Sequence, residues 1–124
     1  MKELNRKKGS LAESKTADWL ESNKGFTILE RNYGRATGEI DLIAQDGESI
    51  VFVEVKYRNN NEYGYPAEAV TAAKQKKIID TAMLYLQEKE KSETDIRFDV
   101  AELTKRDGRF FIRYTENAFE WRND

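Results

Sequence analysis

Four ionisable residues stand where strand-forming sequence has least use for them. Residues 38–58 read GEIDLIAQDGESIVFVEVKYR, two apolar runs around a tight turn, with Glu39, Asp41, Glu54 and Lys56 inside the runs. A charge taken out of water is costly unless it is paired or holds a metal. In the first run Glu39, Asp41 and Ile43 alternate with Ile40, Leu42 and Ala44; in the second Phe52, Glu54 and Lys56 alternate with Val51, Val53 and Val55. If Gly47-Glu48 form the turn, Asp46 pairs with Ser49 and Asp41 lies directly opposite Glu54, with Cβ atoms about 4.5–5.5 Å apart. If Asp46-Gly47 form it, the two acids are one diagonal step apart. A bulged three-residue turn is a third arrangement and would break the shared face.

Two carboxylates so close repel each other unless a cation intervenes. A hard divalent ion accepts Asp and Glu oxygens, and Lys56 beside it adds a positive charge. Such a group suits phosphate esters, where the metal polarises a phosphoryl oxygen and activates water. The competing reading is an ion pair on a solvated sheet face. Glu-x-Lys alone decides nothing, since Glu13 and Lys15 repeat it on a helical segment.

The rest of the composition narrows the chemistry. The 124 residues contain no cysteine and no histidine, which excludes disulfides, thiol nucleophiles, Cys/His zinc sites and His-based triads. A metal would be Mg²⁺, Mn²⁺ or Ca²⁺ on oxygen ligands. Any general acid or base is Asp, Glu, Lys or Tyr. Charged residues make up 35% of the chain and the net charge is −2, with a pI of about 5.4, which weighs against a surface that is basic all over. Basic residues cluster at Lys2–Lys8, Lys74–Lys77 and Lys105–Arg109. No apolar run approaches membrane-helix length, and no apolar segment follows the basic start as it would in a signal peptide. These features predict a soluble, cytoplasmic protein without membrane association: a flexible basic arm over residues 1–9 and one domain over 10–124.

The elements that must position the four residues follow from periodicity. Ser10–Lys24 reads as a helix with Ser10 and Glu13 as a capping box and Gly25 as its stop. Phe26–Arg31 reads as a strand, followed by the two strands of the charged hairpin. A polar loop, residues 58–65, leads to a long helix from Pro66 to about Glu90, with Ala69, Ala72, Ile79, Met83 and Leu86 as its apolar stripe. Asp95–Leu103 and Arg109–Thr115 read as strands around Asp107-Gly108. The order α-β-β-β-α-β-β predicts a mixed α/β domain, its sheet packed against helices.

At Gly38-Glu39-Ile40-Asp41-Leu42-Ile43 and Val51-Phe52-Val53-Glu54-Val55-Lys56 the sequence resembles the PD-(D/E)XK nuclease superfamily. From about Gly9 to Tyr114 it resembles, more closely, the small bacterial YraN-like proteins related to archaeal Holliday junction resolvases. Glu13, Arg31-Asn32, Gly64, Pro66, Lys74 and Arg97-Phe98-Asp99-Val100 belong to that likeness; Ile40 stands where the superfamily's name has proline. The resemblance implies a restriction-endonuclease-like α-β-β-β-α-β core with a mixed sheet flanked by helices. It also implies Mg²⁺- or Mn²⁺-dependent cleavage of nucleic-acid phosphodiesters, with structured or branched DNA as substrate. Asp41, Glu54 and the Val55 carbonyl would bind metal, Glu13 would join directly or through water, and Lys56 would orient the attacking water. The related resolvases act as dimers, which raises a homodimer here.

Other residues carry two readings each. Glu13 is a capping acid or part of the site. Lys74 contacts phosphate or lies on a solvated helix face; it projects away from the expected stripe, whereas Gln75 sits at the stripe's edge. Glu39 supports Asp41 or is simply exposed. Tyr57, Arg58, Tyr63 and Tyr65 stack on bases and touch phosphates, or pack the loop. Arg97 and Asp99 read as structural. The second functional expectation is a nucleic-acid-binding module that keeps the fold with little or no cleavage.

Overall fold

Good helix formers, Glu3, Leu4, Arg6, Lys7 and Lys8, precede Gly9-Ser10, and in a computed structural model the first helix runs through that pair. The structure describes residues 2–58 and 70–120, with side chains from Leu11 onward. Helix α1, Lys2–Trp19, starts well before Ser10, so Ser10 and Glu13 lie inside it and form no N-terminal capping box. A π-helical turn, Leu20–Lys24, follows and ends at Gly25, whose φ of 69° is the left-handed conformation that suits glycine.

Three antiparallel strands come next: β1, Thr27–Arg35; β2, Gly38–Asp46; β3, Ser49–Arg58. Helix α2, Ala72–Glu88, crosses to β4, Ile96–Arg106, which pairs parallel to β3. A hairpin then adds β5, Arg109–Phe119, antiparallel to β4. The sheet order is β1-β2-β3-β4-β5. It is the expected α/β arrangement of a restriction-endonuclease-like core, a mixed five-stranded sheet with two helices. β1 and β5 extend beyond their expected ends.

Both hairpins obey their turn residues. Asp46 pairs with Ser49, so Gly47-Glu48 is the turn; Gly47 has positive φ and Glu48 does not, which fits a type II′ turn. Asp107 and Gly108 both have positive φ, the type I′ pattern.

Two cores separate along the sheet. Ile50, Phe52, Phe98 and Val100 pack with Ile78, Ala82, Tyr85 and Leu86 of α2. Leu42, Ala44, Val51, Val53, Ala101 and Leu103 pack with Ala12, Ala17 and Leu20 of α1. β3 is thus covered on both faces, and Ile50–Glu54 is buried continuously. Ile40, grouped by alternation with Leu42 and Ala44, falls instead in the α2-side cluster.

α2 departs from expectation at its start and on its inner face. Thr71, not Pro66, precedes its first turn, and the Thr71 side chain accepts from the Lys74 N–H. Its buried face is Ile78, Thr81, Ala82, Tyr85 and Leu86, whereas Ala72 is exposed and Ile79 and Met83 are partly buried. Thr81 hides the true register: it is fully buried because its hydroxyl bonds to the Lys77 carbonyl and to Thr37. The expected loop, with Tyr63, Tyr65, Pro66 and Ala69, lies outside the described residues. Among the described residues, no helix is long and apolar enough to cross a membrane.

Candidate active site

The site begins where the sheet splits. The β2–β3 ladder runs from Asp46–Ser49 to Leu42–Val53 and goes no further. Past that point β2 still pairs with β1 and β3 with β4. Asp41 and Glu54 are the first residues beyond the fork. The Asp41 carboxylate takes over from the ladder, accepting the Val55 N–H at 2.8 Å. The fork opens a cleft of about 300 Å³ lined by Gly38, Glu39, Asp41, Glu54 and, from α2 and its cap, Thr71, Lys74 and Lys77.

Glu54 is buried, only 4% exposed. Burial and the Asp41 charge raise its pKa to about 8, against the pull of Lys74. Glu13, half-buried on α1, is pushed up to about 7 by burial and by Asp41, while a bond from Asn32 works the other way. The Asp41 charge therefore acts on both acids. Three carboxyls and Glu39 crowd negative charge into one place.

The cation facing that charge comes from α2. Lys74 Nζ lies 2.6 Å from Glu54 Oε1. Burial works against its charge, but bonding to Glu54 and the charges of Glu54 and Asp41 hold its pKa above the ordinary lysine value. Lys74, expected to project away from the apolar stripe, is half exposed, yet its ammonium reaches buried Glu54. Ile78 is on the inner face of α2, and Lys74 is one turn earlier in line with it. Gln75, by contrast, donates to the Val70 carbonyl at 2.9 Å and ties down the start of the helix.

The other expected residues are distributed as follows. Lys56 follows Glu54 on the same face of β3 but is exposed, outside the cleft lining. Arg58 forms an ion pair with buried Glu102. Tyr57 turns to the α1 side, its ring edge-on to Phe110. Arg97 is structural, bonded to Asp99 and Asp46. Fully buried Asp99 also accepts from the Tyr114 hydroxyl and the Asn117 N–H.

Gly38, which lines the cleft, and Asn32, which acts on Glu13, were left without a role by the sequence reading. Asn32 has φ of 51°, between the Arg31–Leu42 and Tyr33–Ile40 pairs and so across from Asp41. An asparagine inside a strand, where that residue is depleted, was the available signal. A Cβ on Gly38 would meet Lys77 Cβ at 3.2 Å, so its bare backbone lets α2 come close.

The donor set is all oxygen, and the crowding of acids is the kind a hard cation relieves. As the side chains stand, among the described residues no three Asp or Glu surround one point as a metal cluster would. Glu54 is turned to Lys74 and Asp41 to the Val55 N–H. The chemistry of the donors suits Mg²⁺ or Mn²⁺, and filling the site requires Glu54 to exchange Lys74 for the ion.

Comparison with known proteins places the chain in one family. Residues 12–103 match the model of the uncharacterised protein family UPF0102. A UPF0102 protein of Symbiobacterium thermophilum is 45% identical over 117 residues, covering 94% of this chain and 98% of the relative. One from Clostridioides difficile is 44% identical over 115 residues, 93% and 98% of the two chains. One from Dictyoglomus thermophilum is 47% identical over 96 residues, 77% and 80%. With likeness of this extent over nearly its whole length, the chain belongs to the UPF0102 family, the YraN-like group that its motifs resemble.

Proposed function

We propose that this protein is a cytoplasmic, metal-dependent endonuclease that hydrolyses phosphodiesters of DNA, with structured or branched DNA as its preferred substrate. One observation carries the reading: the ladder between β2 and β3 ends at Asp41 and Glu54, and there Glu39, Asp41 and Glu54 meet Lys74 and Lys77 in an open cleft. Such crowding costs stability, and a metal-binding task explains why the chain keeps it.

Asp41, Glu54 and the Val55 carbonyl would hold Mg²⁺ or Mn²⁺, with Glu13 joining directly or through water. The ion, when bound, supplies phosphoryl polarisation and water activation. Lys74 brings an ammonium to the substrate's phosphate, where a fixed cation is worth most as charge develops. Lys56, exposed beyond the cleft, orients water or a neighbouring phosphate. A second reading rests on the present engagement of Glu54 by Lys74 and of Asp41 by a backbone N–H: a DNA-binding module in which the acids idle.

The test is cleavage of duplex, single-stranded, flap and four-way-junction DNA with Mg²⁺, Mn²⁺ or chelator, comparing wild type with Asp41→Asn. Metal-dependent cutting that the variant loses is expected. Metal should also raise the wild-type melting temperature, on the order of 10 °C at a hundredfold excess over Kd, but not that of Asp41→Asn. Binding without cutting in any metal would favour the module; equal cutting by Asp41→Asn would sink the site assignment.

A further inference from the structure

The α2-side face of the sheet continues past the cleft, along β3 and out to the edge strand β5. Register places Lys56, Glu102 and Arg113 in one row across β3, β4 and β5, and Arg58, Thr104 and Phe111 in the next. Phe110 and Ile112 pack on the α1 side, so alternation turns Phe111 and Arg113 to the face that carries Glu54. The rows step along the strands by about 6.7 Å, close to the length of one extended nucleotide. The first row is one such step from Glu54.

Two features of these rows are unlike ordinary surface. Glu102 is only 3% exposed. Arg113 donates to its Oε1 from Nε at 3.1 Å and Nη2 at 2.9 Å. Arg58 Nε meets its Oε2 as an ion pair that lacks hydrogen-bond alignment. One buried carboxylate thus anchors two guanidiniums, with Lys56 beside them in register. Among the described residues, three cations gather about one buried anion, on a chain whose net charge is −2. The second feature is Phe111, 52% exposed, with the Arg106 guanidinium 6.0 Å from its ring centroid. An exposed aromatic face with cations beside it on a sheet is how proteins hold unpaired bases: the ring stacks a base and the cations follow the backbone.

We infer that this half of the sheet is a binding track for an unpaired DNA strand, with one base stacked on Phe111 and the adjoining phosphates on Arg113 and Lys56. The track leads the strand into the Asp41–Glu54 cleft. The inference deepens the proposed function and rests on it for the identity of the ligand. A flap or a junction arm supplies such a strand; a continuous duplex does not.

The experiment measures binding of a fluorescent single-stranded oligodeoxynucleotide by anisotropy, in chelator so that nothing is cut. Phe111→Ala should weaken binding roughly tenfold, the usual loss for one stacked base. Phe111→Trp should keep the affinity, and Phe111→Leu should behave like alanine, because leucine has comparable apolar bulk but no π-face. Arg113→Gln should lower the slope of log K against log salt by about 0.7, the value for one phosphate contact on a single strand. Phe111 is exposed, so melting temperatures of its variants should stay near wild type.

Wild-type affinity in both Phe111→Ala and Phe111→Leu overturns the inference. So does no binding by wild type. It is equally overturned if Phe111→Ala changes only sedimentation, splitting a dimer while DNA binding holds; the patch would then face a second copy of the chain. The two readings fail separately. Stacking-dependent binding by a protein that cuts nothing keeps the track and removes the nuclease. Metal-dependent cutting that Phe111→Ala leaves unchanged in KM and kcat keeps the nuclease and removes the track.

Discussion

Asp41 has two jobs that the choice of substitution can separate. Its carboxylate belongs to the crowded acids, and it also accepts the Val55 N–H where the ladder stops. Alanine removes both; asparagine removes the charge and keeps an acceptor oxygen. Asp41→Ala should therefore lower stability by about 1 kcal/mol, the cost of losing the acceptor of a half-buried donor. Asp41→Asn should cost less or even stabilise, since it relieves the repulsion that raises the pKa of Glu54 and Glu13. Urea denaturation of the two variants without metal checks this; equal loss would mean that the Val55 bond contributes nothing. Both acids were legible from type and spacing, because a strand cannot bury carboxylates without a reason. The cation that answers them was not. Lys56 looked like the partner because it is near in sequence, whereas the ion pair reaches Glu54 from Lys74 across the cleft.

That misreading arose in α2, one element away. Its expected stripe was Ala69, Ala72, Ile79, Met83 and Leu86, the apolar residues at helical spacing, and of these Leu86 is buried while Ala72 is exposed. The packed face runs instead through Ile78, Thr81, Ala82 and Tyr85, since a buried threonine satisfies its own hydroxyl on the helix backbone. Rotating the helix by that amount brings Lys74, still half exposed, to the cleft edge within reach of Glu54. Gly38 sets how close α2 can come. An added Cβ would lie 3.2 Å from Lys77 Cβ and 3.4 Å from Thr81 Oγ1, at a φ of 150°. Gly38→Ala should destabilise the fold by about 1–3 kcal/mol through strain and overpacking, and should weaken metal binding by moving Lys74 relative to Glu54. Denaturation with calorimetric metal titration measures both. A variant of unchanged stability and affinity would show that the helix has room to spare.

Across the molecule, electrostatics tie the sheet edge to α2. Glu88, at the end of α2, accepts from Arg35 and from the Tyr33 hydroxyl on β1. These bonds, that to Arg35 foremost, bring its pKa down to about 2 from 4.5. A carboxyl whose folded pKa is depressed stabilises above its unfolded pKa and loses that contribution as pH falls through the folded one. Glu88→Gln should thus melt about a degree or two below wild type at pH 7, the modest effect of an exposed pair. The gap should close between pH 4.5 and about 2 and shrink in high salt. A gap that is constant down to pH 2 would mean that packing, not charge, links the two elements.

Net charge was a poor guide to surface character for a related reason. A pI of about 5.4 argues against a basic protein, yet strand register gathers Lys56, Arg58 and Arg113 around a single buried acid. Sequence alone determined what depends on local pattern: the number and order of the elements, the Asp107-Gly108 turn and a tight turn within Asp46–Ser49, whose register the Asp46–Ser49 pair then decided, the absence of thiol and imidazole chemistry, and the acids on one strand face. Turn type and alternation are short-range properties, set by φ preferences and by the two-residue period of a strand. Only the tertiary structure decided which cation meets the acids, where the ladder parts to open a cleft, and which side chains share a row with Phe111. Those depend on how a helix is rotated and on which strands lie side by side, and packing determines both between residues far apart in the chain.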